Sequence, residues 1–154
     1  MSAEGAPPAT RGRNVKAVLL GGLVNAACSF AYSFVSILTL MVVIKVRGAP
    51  VAETERYANS LPFLVPAWIA GTASALLGGF VAARIARRRE LVNAAISALP
   101  NMAITLALIL TTPGQMRIPT WYLIVSYAAV IPAAILGGHL GVRRKRTLAA
   151  AMAS

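Results

Sequence analysis

Four apolar runs, at about 18–44, 61–83, 91–110 and 121–142, decide what this chain can fold into. A helix needs ~20 apolar residues at ~1.5 Å each to cross ~30 Å of hydrocarbon. Each run meets that length. In lipid a single segment has to satisfy its own backbone polar groups, and the helix is the structure that does so. The expected fold is all-α, a four-transmembrane-helix bundle over residues 18–142. Residues 1–17 include Gly5, Pro7, Pro8 and Gly12, lack apolar periodicity, and are expected to form a disordered cytoplasmic tail. Residues 143–154 are expected to form a second, basic cytoplasmic tail. The first run is too long for a cleaved secretory signal and is expected to tilt or to extend past the bilayer.

Charge agrees with this division. Only 12% of the residues are charged, yet the net charge is +11. The basic residues cluster between the apolar runs: Arg11, Arg13 and Lys16, then Arg84 and Arg87 to Arg89, then Arg143 to Arg146. That is the charge pattern of a multi-pass membrane protein, and it argues against nucleic acid as a partner. The other side carries Lys45, Arg47, Arg56 and Arg117. The positive-inside rule then places both termini in the cytoplasm, and the expected location is a bacterial inner membrane.

Smaller signals refine the loops and spans. Pro50 is placed to start a short surface helix carrying Glu53, Glu55 and Arg56, with Tyr57 at headgroup level. Ser60 is placed to cap the second span. Trp68 falls near the interface, and Trp121 and Tyr122 are expected to anchor the fourth span. Glu90 complements the start of the third span. Pro100 and Pro132 fall in mid-span, where kinks are expected.

Two kinds of polar and small-residue row mark the spans. The second carries Gly71, Ala75 and Gly79 four apart, with Gly78 in an adjoining row; the fourth carries Ala133, Gly137 and Gly141. Small residues at this spacing let helix backbones approach in lipid. They suit the centre of the bundle or an oligomer interface. The first span carries Asn25, Ser29 and Ser33, with Tyr32 and Ser36 adjoining; the third carries Asn93, Ser97, Asn101 and Thr105. These rows suit interhelical hydrogen bonds or a neutral polar path between helices.

A repeat runs through the same segments. Leu23-Val24-Asn25-Ala26-Ala27 recurs as Leu91-Val92-Asn93-Ala94-Ala95, and Leu77-Gly78-Gly79 as Leu136-Gly137-Gly138. Spans one and two thus match spans three and four, as two parallel-repeat hairpins about an axis along the membrane normal.

Several function classes lack their residues. No Asp, Glu, Lys or Arg lies inside a span, where proton relays and ion sites place them. No catalytic motif, paired carboxylate or metal-ligating cluster is evident, so no enzyme, cofactor or metal site is expected. Cys28, the only cysteine, fits a small apolar packing residue. His139, the only histidine, fits an interfacial position in the fourth span. The span endings Gly78-Gly79-Phe80-Val81-Ala82-Ala83-Arg84 and Gly137-Gly138-His139-Leu140-Gly141-Val142-Arg143 resemble a pattern in small uncharacterised bacterial four-helix membrane proteins. That resemblance implies fold and location and carries no activity. The sequence therefore suits an interaction or assembly protein, acting as a homo-oligomer or with a membrane protein partner in the lipid bilayer. The alternative is a small oligomeric transporter or channel-like protein using the polar rows.

Overall fold

The computed structural model describes residues 8–48, 50–86, 88–111 and 118–152. They form five helices: α1 Pro8–Arg47, α2 Val51–Ala58, α3 Leu61–Ile85, α4 Glu90–Thr111 and α5 Thr120–Ala151. Four of them hold segments long and apolar enough to cross a membrane: Asn14–Arg47, Leu61–Ile85, Glu90–Thr111 and Thr120–Arg144. The shortest has 22 residues, or about 33 Å of rise, enough for the hydrocarbon core.

Local sequence explains the helix ends. Gly48, at φ 62°, stops α1 in the left-handed conformation that glycine adopts at low cost. Pro50 follows in extended backbone, and α2 starts at the next residue. Pro62 sits in the first turn of α3, where no intrahelical acceptor is lost. Two expectations need correction here. Residues 8–17, expected to be disordered, are the first turns of α1, which extends backward from the apolar run and buries Ala17. Ser60 does occupy the N-cap of α3, but its hydroxyl donates back to the Tyr57 carbonyl at 2.6 Å and makes no cap bond.

The interior is built of small and polar residues and the exterior of large apolar ones. The buried apolar residues are mostly alanines, among them Ala75, Ala82, Ala94, Ala98 and Ala134, and the largest fully buried side chains are Asn25 and Ser97. Leu23, Phe34, Ile124 and Leu136 are each more than 60% exposed. A water-soluble monomer does not carry an apolar surface of this extent. In lipid it is the ordinary outer face, because helices there associate through close packing of small residues.

That packing is concentrated at the end of the bundle where α1 begins and α5 finishes, called here the terminal end. A Cβ on Gly21 would lie 2.6 Å from the Gly78 carbonyl oxygen, and one on Gly78 2.7 Å from the Gly21 oxygen, so α1 and α3 touch backbone to backbone. Gly79 faces the Ala134 backbone and Gly137 the Leu76 backbone with no room for a methyl group, which joins α3 to α5 in the same way. Gly138 faces Ala94 on α4. At the opposite end, called the α2 end, the helices are less tightly joined: Gly71 of α3 has nothing within 4 Å of its missing Cβ. On α4 burial stops at Ala98, and Ala103 to Leu108 are exposed.

Among the described residues α3 packs on every other helix, whereas the backbones of α1 and α5 do not come within packing distance of each other. A twofold relating α1–α3 to α4–α5 would turn the α3–α4 contact into an α5–α1 contact. The packing lacks it. The glycine doublets show the same departure. In α3 the first glycine, Gly78, faces its hairpin partner α1 and the second faces α5; in α5 the second, Gly138, faces its hairpin partner α4 and the first faces α3. The repeated residues therefore do not make equivalent contacts.

Candidate functional site

The splayed half of the bundle encloses a cavity of about 400 Å³, bordered by all four long helices. From α1 come Ser29, Tyr32, Ser33 and Ser36, about two to four turns beyond the tight crossing at Gly21. From α3 come Ala67, Trp68, Gly71 and Thr72, from α4 Asn101, Met102 and Thr105, and from α5 Tyr122, Ser126, Tyr127 and Val130. No side chain in the lining carries a formal charge at neutral pH.

Hydrogen bonds hold the walls and leave some groups unused. Asn101 Nδ2 donates to Ser29 Oγ at 3.2 Å, a bond between α4 and α1. The Tyr127 hydroxyl donates to the Met102 carbonyl at 3.4 Å, between α5 and α4. Thr72 and Thr105 donate to the carbonyls four residues back, at 2.8 and 2.9 Å, and so keep their acceptor lone pairs for the cavity. The buried Trp68 Nε1 has no hydrogen-bond partner among the described residues. The cavity offers several hydroxyl and amide acceptors on its walls.

The polar rows divide by depth. Ser29, Ser33, Asn101 and Thr105 line the cavity. Asn25, Asn93 and Ser97 do not; they are buried in the terminal-end packing. Ser97 donates to the Ala94 carbonyl at 2.7 Å, and Asn93 Nδ2 to the Arg88 carbonyl at 2.9 Å, beside the first turn of α4. Asn25 is 1% exposed, and neither Oδ1 nor Nδ2 has a partner among the described residues. The two rows thus form no continuous path. Their α2-end halves border a cavity, and their terminal-end halves belong to a plug packed on Gly21 and Gly78.

The small-residue rows also divide. Ala75, Gly78, Gly79, Ala133, Gly137 and Gly141 are buried within the bundle. Gly71 is half-buried and lines the cavity. His139 is exposed near the terminal end and lies outside the cavity. Sequence reasoning missed the contribution of α3 and α5 to the lining: Trp68, Thr72, Ser126 and Tyr127. The available signal was Thr72 and Ser126, hydroxyls in spans otherwise read for their small residues.

Among the described residues four helices are long and apolar enough to cross a membrane, and fold and surface together are compatible with an integral membrane protein. No protein-family model, curated protein or solved structure matches the chain.

Proposed function

We propose that this protein binds a small, uncharged, partly polar molecule within the membrane, admitted from the α2 end. The observation that carries the proposal is the cavity: its volume suits a small molecule, and its lining is mostly apolar with a few polar groups. The uncharged lining disfavours ions, since a buried ion without a countercharge is costly. The plug at Gly21, Gly78 and Asn25 supports binding from one side in this conformation. Placed by its Lys and Arg distribution, the α2 end faces away from the cytoplasm of a bacterial inner membrane, and both termini face in. Passage of the ligand across the membrane would require this plug to open.

An interaction or assembly role rested on the small-residue rows. Those rows are taken up inside the bundle, Gly71 alone excepted, so that reading keeps no observation of its own.

Gly71→Leu tests the proposal, because the added side chain enters open space in the cavity and not a helix contact. Protein extracted in mild detergent should carry a small-molecule adduct by native mass spectrometry. Gly71→Leu should lose it at unchanged thermal stability. An adduct-free wild type, or equal retention by the variant, would contradict the proposal.

A further inference from the structure

A second cavity, of about 360 Å³, lies where the end of α1 meets α2. Leu40, Val43 and Ile44 of α1 form its apolar side. Arg47, Arg56, Tyr57 and Ser60 form its polar side, together with Thr54 and Glu53. Leu40 also borders the first cavity and is the wall between the two.

The two arginines are unusual in three ways. Each is exposed, and neither is ion-paired with any described carboxylate, although Glu53 and Glu55 stand on α2 beside them. With Glu53 counted, the lining still keeps one net positive charge. The loops on this side carry four basic residues, Lys45, Arg47, Arg56 and Arg117, and two of them, Arg47 and Arg56, line this one cavity. Topology selects against cations there, so a cluster needs another purpose. The apolar side belongs to the last turns of a membrane-spanning helix, and the polar side to that helix's last residue, Arg47, to α2 and to Ser60, so the cavity changes from apolar to cationic across the boundary of the hydrocarbon.

We propose that this corner binds a membrane lipid with an anionic phosphate headgroup. The guanidiniums of Arg47 and Arg56 hold the phosphate, as planar forks suited to its oxygens. Tyr57 and Ser60 supply hydroxyl donors to the headgroup, and an acyl chain lies along Leu40, Val43 and Ile44. This site is separate from the uncharged cavity, and neither proposal depends on the other.

The full chain in detergent, titrated with phosphatidylglycerol, phosphatidylcholine or inorganic phosphate and read by native mass spectrometry, tests it. Phosphatidylglycerol should bind more tightly than phosphatidylcholine. Two arginines near the surface contribute ~1 kcal/mol each, so an Arg47→Gln/Arg56→Gln variant should bind phosphatidylglycerol about thirtyfold more weakly. Arg143→Gln/Arg144→Gln removes the same charge from the terminal end and should change nothing. Inorganic phosphate at equal concentration should not bind detectably, because it gains nothing from the apolar side. Equal binding of the two lipids overturns the proposal, as does an equal loss in both double variants. Phosphate binding as tight as the lipid's would overturn the lipid assignment.

Discussion

Glycine has opposite uses at positions that look alike in sequence. Gly79 and Gly137 each face a neighbouring backbone without space for a methyl group, and Gly71 faces open space. Gly79→Ala should therefore destabilise the bundle by ~1–3 kcal/mol through overpacking, read as a lower midpoint of thermal unfolding in detergent. Gly71→Ala should hold or raise that midpoint, since alanine favours helix by about 0.5–1 kcal/mol over glycine. Equal effects would mean that the two positions share one environment. Asn25 is the other informative residue. Its amide is buried with both polar atoms unpartnered, which costs ~1–3 kcal/mol per group. Asn25→Val, which removes both polar atoms with a smaller gain in volume than leucine, should raise stability. A fall would reveal a hydrogen-bond partner for the amide in the folded protein.

At the scale of the helices, hydropathy fixed much of the fold because lipid leaves few alternatives. α3, α4 and α5 start at Leu61, Glu90 and Thr120, beside the limits read from the apolar runs at 61, 91 and 121. Pro50 made α2 legible. The first turns of α1 were not, because Arg11 to Lys16 carry no apolar periodicity while still permitting helix. The Gly21-Gly22 doublet, which packs on Gly78, Ser97 and Pro100, was missed although Gly78, Gly79 and Gly137 were read as contacts. Depth was not legible at all. Asn25, Ser29 and Ser33 share one spacing, yet the first is in the plug and the others at the cavity, because backbone approach at Gly21 closes only one end. Ser60 offers a test at this scale. Since its hydroxyl bonds backward to Tyr57, Ser60→Ala should cost less than the ~1 kcal/mol of a lost helix cap, by thermal unfolding. A full-sized loss would show that the side chain does cap α3.

Across the whole molecule, the distribution of small residues produces a bundle joined at one end and splayed at the other. Large apolar side chains on the outside hold it in lipid, and alanine and glycine at the terminal end bring the backbones together. Past the glycine doublets, Trp68, Tyr32, Tyr122 and Tyr127 border the space between the helices, and the cavity follows. The water accessibility of single cysteines along this axis measures that asymmetry. With Cys28 replaced by serine, Ser33→Cys, Ser36→Cys, Ser74→Cys and Ser97→Cys each put a thiol in place of a hydroxyl with little change in volume. The first two border the cavity, and the last two are buried in the plug. A water-soluble thiol reagent applied to the protein in membranes should label Ser33→Cys and Ser36→Cys and spare Ser74→Cys and Ser97→Cys. Labelling of the plug positions at rates like those of the cavity positions, or protection of all four, would contradict a bundle closed at the terminal end and open at the other.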